Sequence, residues 1–296
     1  MERRYSIPEA AAPAANHEKI SPIHHSSFII EMDWWWAYLA LGAFVGFFAG
    51  LLGIGGGSAL VPVLAFIFSA KGFAPEHIVH LALGTGIATI IFTSASSVRS
   101  HHQRLSVNWG VMLKMTPSVV AGTFGGALAA GWLDTRLLTV AFTLLIYALA
   151  TQMLFDVRPA AGGSLPGAVV MTAAGGIIGF LSSLTATGGA SLTVPFLVRH
   201  KISLHQAIGT AAAVGWPLAL AGTLGYLLAG SGKPGLPEWS AGYVYVPALA
   251  WIAVASMAMA PVGARIAHRT PAKPLKRVFA VVLYLLATGM LVSTFA

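Results

Sequence analysis

Eight apolar stretches, separated by short polar or glycine- and proline-rich segments, follow one another along the chain. They cover residues 34–68, 77–98, 111–132, 137–155, 168–198, 204–229, 244–262 and 278–295. Most are close to the roughly 20 residues that an α-helix needs to span a bilayer. Three tryptophans, Trp34 to Trp36, open the first stretch, as is typical of a helix end at the membrane interface. The pattern predicts an all-α polytopic membrane protein.

Two stretches, residues 34–68 and 168–198, are too long for one simple span, and each contains glycines near its middle. The first is interrupted around Gly53 to Ser58 and the second around Thr185 to Ser191. Glycine is unfavourable inside a helix, so clustered glycines indicate unwound backbone. Such backbone is tolerated at membrane depth only where protein covers it or it faces a cavity. We therefore expect glycine-broken helices or re-entrant hairpins at both places.

The sequence around the breaks recurs in the second half of the chain. Gly-Gly-Ser-Ala-Leu-Val-Pro at 56–62 matches Gly-Ala-Ser-Leu-Thr-Val-Pro at 189–195, and H-x-A-x-G-T occurs at both 80–85 and 205–210. A later match pairs Tyr147 and Thr151 with Tyr284 and Thr288. The order of the matches predicts two related halves of about four apolar segments each, residues 34–155 and 168–296, joined by a linker at 156–167.

Loop charges bear on the relation between the halves. Suppose that each long stretch enters and leaves the membrane on the same side. The short loops on one face of the membrane then hold only three basic residues, Lys71, Arg136 and Lys233. The loops on the other face hold ten basic residues, Arg99, Arg104, Arg158, Arg199, Lys201, Arg265, Arg269, Lys273, Lys276 and Arg277. This asymmetry is the positive-inside pattern. It favours inverted repeats, in which the second half has the opposite orientation to the first.

Composition narrows the class of protein further. Only 9% of residues are charged and 56% are hydrophobic, and these figures exclude a soluble enzyme, a disordered chain and a secreted disulfide scaffold. The net charge of +8 comes from residues spread thinly through loops, so a nucleic-acid partner is not expected. There is no cysteine for thiol catalysis or metal binding. The expected surroundings are the lipid bilayer of the cell membrane, with no cofactor and no metal.

The first 33 residues differ from the rest because they mix acidic and basic side chains without an apolar core segment. They lack the apolar run and cleavage site of a signal peptide. Residues 1–33 are therefore predicted to form a polar, poorly ordered tail.

The candidate substrate site lies at the two breaks. No Asp or Glu falls in the middle of an apolar stretch, which disfavours a cation carrier. Hydroxyl side chains and glycines occur there instead, and a helix that starts after each break would point free N–H groups at an anion. Ser58 and Ser191 fall at the predicted N-caps, and Pro62 and Pro195 mark the helix breaks in the following turn. The predicted substrate-binding residues are Gly55, Gly56, Gly57, Ser58, Thr85, Gly188, Gly189, Ser191 and Thr210.

Two histidines begin the repeated H-x-A-x-G-T segments. His80 and His205 are candidates for contact with a proton or with the anion, because histidine titrates near neutral pH. The alternative is that each histidine lies at the entrance of its helix, where headgroups or water satisfy it.

These features together resemble the TauE/SafE sulfite exporter family, also called sulfonate uptake permeases. The resemblance rests on the repeated G-G-x-S-x-x-x-P break, the paired H-x-A-x-G-T segments and the loop from His102 to Trp109, and it covers nearly all of 34–295. It implies two related halves, small sulfur-containing or organic anions as substrates, and transport driven by protons or another ion. The chain departs from the family in its long tail and in Ala190, which stands where the first half has Gly57.

The sequence thus favours a secondary transporter, not an enzyme, that moves a small anion by alternating access between the two halves. Sulfite, an organosulfonate or a related acid is the expected substrate. Two alternatives remain open. One is a membrane-embedded serine hydrolase with Ser58 as nucleophile and His80 as base, although Ala59 replaces the glycine of a rhomboid-like Gly-x-Ser-Gly motif. The other is a passive anion channel.

Overall fold

A computed structural model describes residues 34–52, 56–155, 163, 165–267 and 272–295 of the chain. The predicted tail, Gly55 and most of the predicted linker lie outside the described residues. The helices of the described part are α1 (Trp35–Leu52), α2 (Gly57–Ala70), α3 (Pro75–Gln103), α4 (Trp109–Ala130), α5 (Thr135–Phe155), α6 (Ala168–Thr185), α7 (Ala190–Arg199), α8 (Leu204–Gly230), α9 (Val246–Ala267) and α10 (Ala272–Phe295).

Six of the described helices are long and apolar enough to cross a membrane, namely α3, α5, α6, α8, α9 and α10. Of these, α3 and α8 are the most deeply buried in the bundle. A short antiparallel β-hairpin, which the apolar pattern does not predict, pairs β1 (Ser240–Ala241) with β2 (Val244–Tyr245) just before α9. The prediction of an all-α polytopic membrane protein is confirmed.

The first long stretch folds back on itself at its glycine break. Gly56, just before α2, packs against Val45 in the middle of α1, so α2 begins beside α1 rather than beyond its end. The rings of Tyr38, near the start of α1, and Phe68, near the end of α2, both contact the ring of Tyr245. The stretch therefore enters and leaves at one end of the bundle, which we call the β-hairpin end.

The second long stretch also begins and ends at a single end of the bundle. A Cβ atom on Gly175 of α6 would lie 3.2 Å from the carbonyl oxygen of Met115, in the first half of α4. The backbone N–H of Asn108, which precedes α4, donates to the hydroxyl of Thr210 near the start of α8. Hence α6 and α8 begin at the same end, and the 10-residue α7 leads back to it.

Glycines allow close packing between helices of the two predicted halves. Gly42 and Gly46 of α1 lie against the backbone of Ile252 and Ser256 in α9. In the same way, Gly122 of α4 packs on the backbone of α6. In both pairs the helices run parallel, because residue numbers rise together along each contact. The first helix of each predicted half thus packs against the fourth helix of the other.

The equivalent helices of the two predicted halves also contact each other, and these pairs run antiparallel. Between α5 and α10, the hydroxyls of Tyr147 and Thr288 are 2.6 Å apart, and Thr151 bonds to Tyr284. Between α3 and α8, Gly222 packs on Ile87 near one end, and Gly215 approaches Ser94 further along. Residue numbers fall along one helix as they rise along the other.

The described charges separate between the two ends. The end opposite the β-hairpin, which we call the basic end, carries Arg99, Arg104, Arg199, Lys201, Arg265, Lys276 and Arg277. The β-hairpin end carries three described basic residues, Lys71, Arg136 and Lys233, and three described acidic residues, Glu76, Asp134 and Glu238. Each long stretch begins and ends at a single end of the bundle. The loops that carry most of the basic residues therefore lie together at the end opposite the β-hairpin.

The close packing of α4 on α6 predicts different effects for two nearby glycines. Gly122→Ala places a Cβ atom against the backbone of Gly176, which cannot move away as a side chain would, and we expect a loss of about 1–3 kcal/mol in stability. Thermal unfolding of the purified protein in detergent measures the change. Gly125→Ala, with nothing within 4 Å of its Cβ, is the control and should leave the melting temperature unchanged or raised. Equal effects would contradict the packing.

The reversal at the first break predicts the accessibility of single cysteines. Trp36→Cys and Ser69→Cys flank the stretch, and we expect a membrane-impermeant maleimide to label both from the same side of a vesicle. Leu105→Cys, which is 86% exposed as leucine at the basic end, should be labelled from the opposite side. The natural lack of cysteine removes background labelling. Labelling of positions 36 and 69 from opposite sides would show a single crossing instead.

Candidate substrate site at two glycine breaks

The two glycine breaks contact each other inside the bundle. Gly57, the first residue of α2, packs directly on the carbonyl oxygen of Ala186, which caps the end of α6. A Cβ atom at position 57 would overlap that oxygen, so the contact requires glycine. Ala186 has a φ of +47°, a left-handed conformation that is costly for alanine and common at helix ends. The approach of the two breaks therefore involves strained backbone as well as close packing.

Helices α3 and α8 cover the breaks from two sides. A Cβ atom on Gly86 of α3 would lie 3.2 Å from the Cβ of Ala186, and one on Gly188 would lie 3.3 Å from Ile90. On α8, a Cβ atom on Gly215 would lie 2.8 Å from the carbonyl oxygen of Gly188. The unwound segment after α6 is thus enclosed by protein, as backbone at membrane depth must be.

Helices α2 and α7 start at matching positions in the repeated sequence. Gly56 and Gly189 are their N-cap residues, and neither has a side chain to cap the first-turn N–H groups. Ser58 and Ser191 are the second residues of their helices rather than the predicted N-caps. The glycine N-caps thus satisfy none of the first-turn N–H groups through a side chain, and each helix start carries the positive end of its helix dipole.

Each short helix also contains a proline at its sixth position, Pro62 in α2 and Pro195 in α7. The structure places these prolines inside the helices, after the breaks rather than at them. Proline has no N–H group, so it cannot bond to the carbonyl four residues earlier. In both helices that carbonyl belongs to the serine, Ser58 or Ser191. The prolines therefore loosen the backbone at the two serine positions.

Hydroxyl groups are concentrated near the breaks. Ser58 and Thr193 are fully buried, and neither hydroxyl has a hydrogen-bond partner. Thr187 is also buried and bonds to the hydroxyl of Thr185 at 2.8 Å. Buried hydroxyls without partners are uncommon, and each one calls for an explanation such as a bound polar molecule. The buried polar side chains of the described residues are Ser, Thr and His80, with no carboxylate, lysine or arginine.

The predicted site threonines form two contacts of the same kind at opposite ends. Thr85 accepts a hydrogen bond from the backbone N–H of Tyr245, and Thr210 accepts one from the N–H of Asn108, each at 2.9 Å. The preceding glycine of each motif packs on the same loop, Gly84 on Tyr243 and Gly209 on Ser106. We call these the crossed contacts, because each joins one predicted half to the loop before the fourth helix of the other. The threonine hydroxyls thus have protein partners.

The two motif histidines have different surroundings. His80 is 3% exposed, and its Nε2 atom bonds to the carbonyls of Ala130 and Leu133 at 3.1 Å. His205 is exposed near the start of α8. His80 lines a cavity of about 430 Å³ at the β-hairpin end, together with Tyr243. Burial raises the pKa of the Tyr243 phenol above its ordinary value, so this ring stays uncharged at neutral pH.

The geometry of Ser58 and His80 bears on the hydrolase alternative. The Ser58 hydroxyl has no hydrogen-bond partner, whereas the ring of His80 bonds to the end of α4. A serine nucleophile needs a base within hydrogen-bond reach. Among the described residues these two side chains do not form such a pair.

Several residues around the breaks were not predicted from the sequence. Ala186, Gly86 and Ile90 lie there, but an alanine, a glycine or an isoleucine in an apolar stretch carries no chemical signal. The loop residues Tyr243 and Asn108 were also missed. Asn108 lies one residue before a helix start and Tyr243 three residues before another, and this position after a polar loop could have suggested them, but not their contact with the other half.

Comparison with known proteins identifies the family. The family described as "Sulfite exporter TauE/SafE" matches residues 38–290. A probable membrane transporter protein of Haemophilus influenzae is 34% identical over 85% of this chain and 96% of its own length. Another from Methanocaldococcus jannaschii is 27% identical over 86% of this chain and 94% of its own length. Comparison with solved structures gives no match. The chain belongs to the TauE/SafE sulfite exporter family of multi-pass membrane transporters and is a permease rather than an enzyme.

Proposed function

We propose that the protein is a secondary transporter of a small anion, which binds where the two glycine breaks meet. The observation that carries the proposal is the approach of Gly57 to Ala186, because it brings together the uncapped start of α2 and the segment that leads into α7. The buried hydroxyls of Ser58 and Thr193, which have no partners, supply further donors. N–H groups and hydroxyls can hold an oxyanion without a cationic side chain.

The charge of the interior supports an anion over a cation. A cation carrier places a carboxylate at membrane depth to hold its ion, and the buried polar side chains of the described residues include none. The excess of basic residues at one end would also draw anions to that mouth. By the positive-inside rule, this basic end faces the cytoplasm.

The family name supports sulfite, an organosulfonate or a related sulfur-containing or organic acid as substrate. All carry a negatively charged group with two or three oxygen atoms that hydroxyl and N–H donors can bind. A flux screen of sulfite, methanesulfonate, thiosulfate and small carboxylates in proteoliposomes would identify the substrate. Saturable flux that accumulates the anion against its gradient would exclude a passive channel, whereas flux that only dissipates gradients would support one.

Alternating access between inverted repeats is the proposed mechanism. Three observations support the inverted relation: α3 runs antiparallel to α8, α5 runs antiparallel to α10, and the crossed contacts of Thr85 and Thr210 are equivalent. On α3, Thr85 lies on the β-hairpin side of the residues that cover the breaks. On α8, Thr210 lies on the basic side. Each crossed contact would thus close one end, and opening them in turn would expose the site alternately.

The anion site predicts the effect of removing its hydroxyls. The double variant Ser58→Ala with Ser191→Ala should lower anion uptake, because each lost hydrogen bond to a charged group is worth about 1.5–3 kcal/mol. The apparent KM should rise at least about ten-fold, since 1.4 kcal/mol is a factor of about 10 in binding. Initial rates of uptake into proteoliposomes measure this.

The control is Ser69→Ala, which removes an exposed hydroxyl from the other end of α2 and should leave uptake unchanged. Both proteins must reconstitute in equal amounts. Wild-type kinetics in the double variant would contradict the proposed site.

The crossed contacts predict opposite shifts in accessibility. Thr85→Val leaves the buried N–H of Tyr245 without an acceptor, at a cost of about 1–3 kcal/mol to the closed β-hairpin end. Thr210→Val should weaken the basic end instead. A reporter Ser58→Cys should react with an impermeant maleimide faster from the β-hairpin side in the first variant, and faster from the basic side in the second.

Thr223→Val is the matched control, since its hydroxyl bonds within α8 to Ala219 and joins no other element. It should leave the reactivity of the reporter unchanged. If Thr85→Val and Thr210→Val expose the reporter to the same side, the crossed contacts do not close opposite ends.

A further inference from the structure

The surroundings of His80 are not explained by packing alone. Its Nε2 atom lies 3.1 Å from two carbonyl oxygens, those of Ala130 and Leu133. A carbonyl oxygen can only accept, so Nε2 carries a proton and donates it. The second ring nitrogen, Nδ1, is buried and has no hydrogen-bond partner. In a neutral ring with this tautomer, Nδ1 is an unused acceptor, and the residue that carries it lines a cavity.

The same pattern occurs one turn earlier on α3. The Nε2 atom of His77 bonds to the carbonyl of Pro234 at 2.9 Å, and its Nδ1 atom is also buried without a partner. Both histidines line the cavity and contact the ring of Tyr243. No three His, Asp or Glu side chains of the described residues gather closely enough to hold a metal ion. A proton is the ligand that the unused ring nitrogen of His80 can accept.

Several features around His80 favour a positive charge on its ring. Ala130 is the last residue of α4, so its carbonyl belongs to the negative end of a helix dipole. The ring stacks on Tyr243 with centroids 4.8 Å apart and planes at 27°, a geometry in which an aromatic face attracts a cation. The other titratable or charged side chains that line the cavity are Glu76, His77, Asp134, Lys233 and Tyr243. The carboxylates favour the charged ring, and Lys233, His77 and burial oppose it.

We propose that His80 is a proton-binding site that couples proton movement to anion transport. This inference rests on the proposed function above. The proton binds at Nδ1, and His77 and the cavity connect that atom to the solution at the β-hairpin end. No covalent step is involved, since one N–H bond forms on binding and the same bond breaks on release.

The link from His80 to the transport cycle is the β-hairpin. Tyr243, on which His80 stacks, also packs on Gly84, and Tyr245 of the same hairpin bonds to Thr85. A charged His80 attracts the Tyr243 ring more strongly than a neutral one does. Protonation would therefore stabilise the crossed contact of the β-hairpin end in its closed form. A ligand shifts an equilibrium only through such a difference between two states.

The sequence repeats the histidine, but the structure buries only one of the pair. His205 occupies the equivalent place in its motif and is exposed near the start of α8. Proton binding is thus assigned to one half of a repeated scaffold. This asymmetry gives the proposal a matched control within the chain.

The transport test compares His80→Gln with His205→Gln in proteoliposomes. Methanesulfonate is the first probe because it stays ionised across the pH range, and sulfite replaces it if methanesulfonate does not exchange. Glutamine keeps an N–H donor for the α4 carbonyls but cannot titrate. We expect the ratio of pH-driven accumulation to anion exchange to fall at least about ten-fold in His80→Gln. His205→Gln should match wild type in both.

The outcomes separate this inference from the proposed function. No exchange of either anion by wild type would contradict anion transport itself. Exchange by wild type, with undiminished proton-driven accumulation in His80→Gln, would overturn the role of His80. The same holds if His205→Gln loses accumulation equally.

Direct titration tests the proton site even if a variant fails to fold. In wild-type protein labelled with 15N-histidine and held in detergent, the Nδ1 signal of His80 should move from neutral imidazole to imidazolium between about pH 8 and 4.5. The His77→Gln and His80→Gln spectra assign the signals. A His80 ring that stays neutral throughout this range would overturn the proposal.

Discussion

The requirement that backbone polar groups be satisfied away from water governs the whole structure. Two interrupted helices place non-helical backbone at membrane depth, and such backbone is tolerated only inside protein. The approach of Gly57 to Ala186 contributes to this, because the start of α2 packs on the end of α6 while α3 and α8 enclose the segment that follows it. The parallel glycine contacts of α1 with α9 and of α4 with α6 then hold the two predicted halves together around the breaks.

The interior is polar without being charged, and this limits what it can bind. Serine and threonine hydroxyls and helix starts provide donors, while the ionisable side chains of the described residues lie mainly at the two ends of the bundle. Such an interior avoids the large cost of burying an unpaired charge. It can still compensate the charge of an anion that enters, because N–H dipoles are held in place by the helices and need no reorganisation.

The two predicted halves make similar contacts but differ at individual residues. Thr85 and Thr210 make equivalent contacts of equal length, yet His80 is buried against the end of α4 while its counterpart His205 is exposed. Repetition of a helix arrangement gives two similar ends, which alternating access needs. In the proposed coupling, this difference between single side chains lets one end respond to a proton that the other does not bind. In the proposed cycle, the similar threonine contacts allow the two ends to open in turn. The difference between His80 and His205 couples that motion to a proton.

The sequence alone determined the membrane class, both glycine breaks and the uneven distribution of basic loops, because these depend on composition and spacing that lipid and glycine impose locally. The matching starts of α2 and α7 also follow from the repeat. Only the tertiary structure decided that the breaks touch, that Ser58 and Ser191 follow the N-caps by two residues, and that Thr85 and Thr210 bond to loops of the other half. It also decided which histidine is buried. The contact between the breaks and the two threonine contacts join residues more than 100 positions apart, which no local pattern records.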